Sequence, residues 1–363
     1  MSASQKRRIL DEVKVPALTV CHGNKFKKEA VEKMSLPGVS LLDWLDDDTP
    51  AFSLLHWDEY NLDEFFAAAN YKWEDMVTKC TIGNVNCSDL GTIRAAHTPL
   101  LGACATLRTN TTVGRNMLSG QLNLVLSETG SFADNEYDGW GLFVHEHSVQ
   151  LDDFALFAGV VTYIKLHANS SITVKLTTNA FSRLPEGNTC SEQPIHVAQS
   201  CLERCVFSKA GIDRPSCHVP WISASAKQPP CTTYQQFKSA SGLDELSSFN
   251  ESLMAVITAS CGCRLPCRWE EYVSSTPHSV NIDKARAPGG APRRRPAGRV
   301  VTELALWLHT TVMKAEEGVA YPLNQFLSDV GGSLGLMIGG SLLTIVELVD
   351  CLVCACCGAC SRR

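Results

Sequence analysis

The sequence predicts an α+β protein: a disulfide-rich extracellular domain with a β core and peripheral helices, followed by one C-terminal transmembrane helix. Three observations carry this expectation. Seventeen cysteines in 363 residues are more than a reduced cytosolic chain usually holds without metal or redox work. Short alternating apolar runs recur between Val15 and Leu308, with a few stretches of helical periodicity among them. From Val330 to Val346 there is no charged residue, an uncharged core of 17 positions, which sits at the lower limit for a membrane span.

Composition narrows the function classes. The 32 basic and 38 acidic residues leave a net charge of -6, so the chain lacks the basic field of a general nucleic-acid binder and no nucleic-acid partner is expected. Apolar content of 45% with a mean hydropathy of -0.02 is globular and excludes a polytopic membrane bundle. Ten histidines are scattered, and no G-x-S-x-G, H-E-x-x-H or phosphate loop appears, so no enzyme activity is expected.

The cysteines fall into two groups, twelve from Cys21 to Cys267 and five from Cys351 to Cys360. Twelve is even, as a stapled extracellular domain requires. Four sequons, at Asn86, Asn110, Asn169 and Asn250, lie inside the first group and are expected glycosylation sites. Cys261-Gly-Cys263-Arg-Leu-Pro-Cys267 could ligate zinc, but no second C-x-x-C or histidine pair stands at zinc-finger spacing. Neither a metal nor a cofactor is expected.

The elements follow in order. Met1 to Lys14 is polar with no signal-peptide core. Val15 to Cys21 reads as a strand. Leu62 to Lys79 places Leu62, Phe65, Phe66, Ala69 and Met76 at helical intervals. Gln121–Leu126, Gly141–Val149, Val160–Leu166 and Ile172–Leu176 read as strands. Ser200–Phe207 reads as a helix showing Cys201 and Cys205 on one face, and Leu243–Ile257 as another helix. Lys284 to Arg299 contains only Lys, Arg, Ala, Pro and Gly and cannot pack a core. It is read as a solvated linker or gene-model insertion rather than a basic interaction loop. Val300–Leu308 alternates again as a strand leading to the apolar run. Arg362 and Arg363 beyond that run set the C-terminal end in the cytoplasm. There the five cysteines lie beside the membrane, with S-palmitoylation or apolar packing as their uses. A C-terminal span without a signal sequence leaves the stapled domain on the wrong side, so an upstream membrane segment is expected to be missing.

Several landmarks occur together in a recognisable order. They are Pro16-Ala-Leu-Thr-Val-Cys21, Trp73-Glu-Asp-Met76 before Cys80-x6-Cys87, Gly120-x-Leu-x-Leu124, and Cys201-x3-Cys205 with Cys261-Gly-Cys263-x3-Cys267. Tyr321-Pro-Leu-Asn-Gln-Phe-Leu-Ser-Asp-Val-Gly-Gly-Ser-Leu-Gly335, continuing through Gly339-Gly340-Ser341 to Glu347, is the most specific. In these features the chain resembles the degenerin/epithelial sodium channel superfamily, and the acid-sensing ion channels in particular, over about Val15 to Val353.

The resemblance implies a domain plan. Residues 1–14 form a polar N-terminus and 15–328 the extracellular domain, with a finger at about 37–118, a thumb at about 188–272 and the basic insert at 284–299. Residues 329–353 form the transmembrane pore helix, which in the family is broken at the position of Gly339-Gly340-Ser341, and 354–363 a cytoplasmic Cys-rich tail, while the first transmembrane helix is missing. It also implies the disulfides Cys21–Cys104, Cys80–Cys87, Cys190–Cys267, Cys201–Cys263 and Cys205–Cys261, leaving Cys217 and Cys231 for each other. Gly339, Gly340 and Ser341 match the family's selectivity filter, although Gly331, Gly335 and Gly339 at G-x-x-x-G spacing also suit close helix packing. Glu347 and Asp350 become pore-lining carboxylates, Ser328 the degenerin gating position and Gly335 the amiloride position.

Function follows the same resemblance. The expectation is a subunit of a homo- or heterotrimeric, amiloride-sensitive, ligand-gated sodium channel in the plasma membrane, multi-pass when complete, with sodium ions, related subunits and membrane lipid as partners. Protons are one candidate ligand. The alternative is a non-conducting or dominant-negative fragment that binds full-length subunits. Departures from the family bear on gating. The tryptophan expected before Cys190 is absent, Ser241 stands where a thumb carboxylate is expected, and His22-Gly23 follows the strand instead of preceding a membrane helix. Asp244, Glu128, Asp134, Glu136 and Asp138 are the carboxylates left to sense protons.

Overall fold

A computed structural model of the chain describes residues 2–24, 26, 27, 29, 30, 33, 57, 62–98, 102–114, 121–128, 139–151, 155, 160–184, 190–209, 215–220, 222, 225–241, 260–282, 300–318, 323–338 and 342–357. The polar first residues form two strands, β1 (Ser2–Ile9) and β2 (Glu12–Lys14), ahead of β3 (Ala17–His22), which is buried along its whole length. Helix α1 (Leu62–Ala69) turns Leu62, Phe65, Phe66 and Ala69 inward, as i, i+3, i+4, i+7 spacing dictates.

The helix expected to run on to Lys79 stops at Ala69. A single turn, α2 (Trp73–Met76), is closed by Asp75, whose carboxylate accepts the Lys72 backbone N–H at 2.8 Å. The chain then becomes β4 (Val77–Ile82). Residues from Val77 onward are claimed by a ladder that pairs Val77 with Leu126 and Cys80 with Leu124, and this tertiary pairing overrides local helical spacing. A tight turn at Gly83, φ +59°, leads to β5 (Val85–Asn86), α3 (Cys87–Leu90), β6 (Gly91–Thr98), β7 (Gly102–Thr109) and β8 (Thr112–Gly114). Strands β9 (Gln121–Glu128), β10 (Trp140–His145), β11 (Val161–Leu166) and β12 (Ser170–Ser182) follow. Next come α4 (Ile195–Lys209), α5 (Tyr234–Ser241), β13 (Arg268–Ser274), β14 (His278–Asn281) and β15 (Val300–Gly318). The helix expected at 243–257 and the basic insert lie outside the described residues.

Three sheets organise unit 5–315 of the chain. One has the order β13-β12-β15-β9-β4-β5, with β1 against β15 and β14 against β12; a second runs β11-β10-β3-β7-β6; a third is the pair β2-β8. The large sheets share one apolar core. Leu122, Leu124 and Leu126 of β9 and Leu304, Leu306 and Leu308 of β15 meet Leu18, Val20, Leu107 and Leu142 from the other sheet, each strand alternating its side chains. A second core gathers Phe65, Phe66, Phe207 and Phe237 from the helices with Phe26 from the segment after β3. Its phenylalanine rings meet edge to face, Phe26 and Phe65 at 5.0 Å.

Six disulfides join Cys21–Cys104, Cys80–Cys87, Cys190–Cys267, Cys201–Cys263, Cys205–Cys261 and Cys217–Cys231. Cys21 and Cys104 stand directly opposite in the β3–β7 ladder. Cys201 and Cys205, one turn apart on α4, bind the segment Cys261–Cys267 alongside that helix. Each bridge contributes about 2–4 kcal/mol by restricting the unfolded chain.

The C-terminal residues belong to a separate compact unit with residues 1–4. Within and around the expected span of 329–353 the described residues form α6 (Leu323–Ile338) and α7 (Leu342–Cys357), each of 16 residues. Gly339, Gly340 and Ser341 lie between them, outside the described residues, and two glycines are poor helix formers. Sixteen residues rise about 24 Å, less than the ~30 Å of a bilayer's hydrocarbon core. Among the described residues no helix is long and apolar enough to cross a membrane.

Candidate functional site

Helix α6 begins just after Pro322 in the sequence, a residue suited to helix starts. Ser328, Gly331, Gly332 and Gly335 stand at i, i+3, i+4 and i+7, so the helix gathers them on one face. A Cβ added at Gly331 or Gly332 would meet nothing within 4 Å. These glycines therefore relieve no crowding within the described residues, although each costs about 1 kcal/mol of helix propensity relative to Ala. Ser328 is exposed and Gly335 partly so.

Helix α7 carries Glu347 and Asp350 three residues apart, hence on one side. Both are exposed. Around them Leu348 is 60% exposed, and Ile345, Val346, Val349, Leu352 and Val353 are all more than half exposed. On α6, Phe326, Leu327 and Leu334 are likewise open. Most of the exposed large apolar side chains among the described residues lie on these two helices. Apolar surface of this extent marks a lipid or protein contact rather than a water-facing surface.

A second cluster lies at the end of β3. His22 is buried, and its Nε2 meets Glu128 Oε2 at 2.7 Å. Its ring stacks on Tyr71 at 3.7 Å and meets Trp140 edge-on. Burial, reinforced by the Glu128, Asp75 and Glu29 charges, pushes the Tyr71 phenol well above its ordinary range. Burial would raise the Asp75 carboxyl too, but the Lys27 ammonium at 2.7 Å and the Lys72 N–H outweigh it and hold it below the usual carboxylate value. Two close backbone approaches build this corner. Gly23 donates its N–H to Gly139 O at 2.8 Å. A Cβ on Gly139, at φ +104°, would fall 2.0 Å from Leu166 O.

The neighbouring sheet holds a buried polar chain across β7, β3 and β10. Thr106 Oγ1 and Thr19 Oγ1 are 2.8 Å apart, and Thr19 Oγ1 lies 2.8 Å from His145 Nε2. His145 Nδ1 donates to Glu146 O at 2.9 Å, so Nε2 accepts the Thr19 hydroxyl. Burial pushes the His145 imidazole down to about 4, helped by the Arg108 and His147 charges and opposed by its Glu146 bond. His147 is also lowered by burial, while its Nε2 donates to Val15 O at 2.7 Å.

The remaining expected residues are dispersed. Glu128 ends β9 as the partner of a buried histidine, whereas Asp134, Glu136, Asp138 and Asp244 lie outside the described residues. Ser241 is buried and donates to Lys238 O. Asn86 and Asn110 are exposed, and Asn86 precedes the bridged Cys87. Asn169 sits in the β11–β12 turn at φ +54°, its Oδ1 accepting the Val301 N–H. Asn250 is outside the described residues. Sequence reasoning discounted His22 and passed over His145. The available signal was a histidine within or ending a wholly apolar strand, where a buried imidazole needs a partner.

Comparison with known proteins follows this geometry. A family model described as amiloride-sensitive sodium channel matches residues 3–351. A degenerin-like protein, asic-2, of Caenorhabditis elegans is 20% identical, aligned over 97% of this chain and 76% of its own length. Acid-sensing ion channels 4-B and 1B of Danio rerio are 21% and 22% identical over 93% of this chain, but the match spans only 63% and 64% of their lengths. Among solved structures, a proton-activated chloride channel overlaps 97% of this chain and 86% of its own with a TM-score of 0.36 and 6% identity, an overlap that establishes no shared fold.

Proposed function

Because the chain belongs to the amiloride-sensitive sodium channel family, a family of ion channels and not of enzymes, we propose that it is a subunit of a plasma-membrane sodium channel with a large extracellular domain. The observation that carries this reading is the pair of helices α6 and α7 on either side of Gly339-Gly340-Ser341. A sodium ion must exchange its water for fixed oxygens at a narrow point, and glycine lets backbone carbonyls approach an axis that side chains would block. The small-residue face with Ser328 and Gly335 leads to that point from one side. Glu347 and Asp350 follow on the other, and carboxylates at membrane depth are tolerated only where they face water.

Three copies, alike or related, would surround the axis with their exposed apolar faces against lipid and one another. The disulfide-stapled thumb, α4 with Cys261–Cys267, acts as a stiff lever through which an extracellular ligand moves the pore. Protons are the candidate ligand that the acid-sensing relatives suggest. Amiloride sensitivity is assigned to the Gly335 region. Glycans are assigned to Asn86, Asn110, Asn169 and Asn250.

The test is electrical. Expressed alone or with a related subunit, the chain should give an amiloride-sensitive sodium current, and a bulky substitution such as Ser328→Phe should hold it open. Surface expression with silent membranes and an unchanged Ser328→Phe variant counts against the reading. Suppression of a co-expressed relative's current would then favour the second reading, a subunit fragment that assembles without conducting.

A further inference from the structure

Helix α4 is fastened on two sides. One attachment is covalent, from Cys201 and Cys205 to the segment Cys261–Cys267. The other runs along Ile195, Gln199, Glu203 and Phe207, which recur every four residues and are all buried. The ends of this stripe are apolar: Ile195 packs with Val149, Ala155 and Val160, and Phe207 joins the second core. Its middle is polar, and a buried polar side chain needs hydrogen-bond partners. Gln199, 7% exposed, finds two on one residue. Its Oε1 accepts the Gln150 N–H at 3.2 Å, and its Nε2 donates to Gln150 O at 2.8 Å. A primary amide carries donor and acceptor side by side, so the side chain pairs with this backbone as a neighbouring strand would. The same two backbone groups fix which way round the amide lies.

We propose that Gln199 is the positioning residue of α4, and that its pair with Gln150 is the joint by which the helix is set against the turn that follows β10. Residues 146–151 of that turn spread the contact. Val149 donates its N–H to Glu146 O at 3.1 Å, and Arg108 of β7 donates to Val149 O at 2.8 Å. His147 Nε2 donates to Val15 O, just before β3, at 2.7 Å. Glu146 Oε2 accepts the Glu270 N–H of β13 at 3.4 Å, and Leu151 packs with Cys21 and Cys104. A shift of α4 that keeps the pair closed carries this turn with it and loads β3, β7 and β13. A shift that opens the pair leaves them at rest. The use of the joint in gating rests on the lever reading above, whereas the joint itself does not.

Exchanging the amide for a carboxyl makes a joint that pH opens. In Gln199→Glu the neutral acid accepts the Gln150 N–H and donates its O–H to Gln150 O, as the amide does. The carboxylate can only accept, and its second oxygen then opposes a carbonyl oxygen. The closed pair favours the protonated acid and raises its pKa above the value of about 4.3 in an unfolded chain. Closure is complete below that value and is lost as pH rises through the raised one. The titratable and charged groups on the elements that meet here are Glu203 on α4, Glu146 and His147 in the turn, Arg108 on β7 and Glu270 on β13. Both proteins share them, so their difference isolates position 199.

Hydrogen exchange on the purified full chain in detergent, bridges intact, tests the joint. Near neutral pH, Gln199→Leu and Gln199→Glu should each exchange the Gln150 amide about 10-fold faster than wild type, as loss of a hydrogen bond predicts. The amides of β9 should keep their protection. In acid, after correction for the intrinsic rate, Gln199→Glu should return to the wild-type value while Gln199→Leu should not. Unchanged exchange at Gln150 in both variants, or a loss in Gln199→Glu that ignores pH, overturns the joint. In membranes, an acid step should evoke less current from Gln199→Leu than from wild type at equal surface expression. The expected exchange pattern with an acid-evoked current that Gln199→Leu leaves unchanged upholds the joint and sinks the lever reading.

Discussion

Protonation of His145 should weaken the compact unit of residues 5–315 as pH falls, and the magnitude can be worked from its surroundings. The ring is buried, donates to Glu146 O and accepts the Thr19 hydroxyl. Its imidazole lies at about 4 against about 6.5 in an unfolded chain. Between these values the unfolded state holds more protons than the folded one, so stability rises with pH across that window and is lost as pH falls. The contribution is intact above about pH 6.5 and declines by about 2 kcal/mol at pH 5 and about 3 kcal/mol at pH 4, at 1.36 kcal/mol per unit. Denaturant unfolding of the full chain, bridges intact, should resolve this between pH 7.5 and 4.5. His145→Gln keeps a polar side chain that does not titrate, and its stability should change less with pH than the wild type's by that amount. Parallel pH profiles for the two proteins would refute the reasoning.

Gly139→Ala should destabilise the fold by more than about 2 kcal/mol, because it adds left-handed strain to a clash with Leu166 O; a melting point equal to wild type would contradict this. Gly332→Ala meets open space and should raise the helicity of α6 by about 1 kcal/mol of propensity, yet abolish current where that face meets another copy; circular dichroism and recording separate the two effects. If the pore reading holds, neutralising both α7 carboxylates, Glu347→Gln with Asp350→Asn, should lower single-channel sodium conductance without altering surface expression, and unchanged conductance would place them outside the ion path.

Local patterning reveals some parts of this protein and hides others. The strands β9, β11 and β12 were legible because their side chains alternate between a shared core and the outside. Strand β1 was not: its residues Gln5 to Arg8 are polar and exposed, and it exists because β15 supplies its backbone partners. Strand β4 was hidden for the opposite reason, since Trp73 and Met76 continue a helical spacing that the β9 ladder overrides. His22 and Glu128 are 106 positions apart, and no spacing within one element relates them.

The bridge Cys190–Cys267 has a consequence for how this molecule can diversify. Its two Cα atoms are 5.0 Å apart. The chain leaves the sheet after β12 and returns to it at β13 beside this clasp, with Arg183 N–H bound to Cys267 O at 2.7 Å. The span from Cys190 to Cys267 is thus clasped at its two ends, and Phe207 and Phe237 dock it on Phe65 and Phe66. Segments within it that stay clear of this docking can lengthen or shorten while the sheet registers stay fixed, and a single cut inside it would leave both pieces attached. Variation can accumulate in those segments while the sheets that carry them are held by their packing.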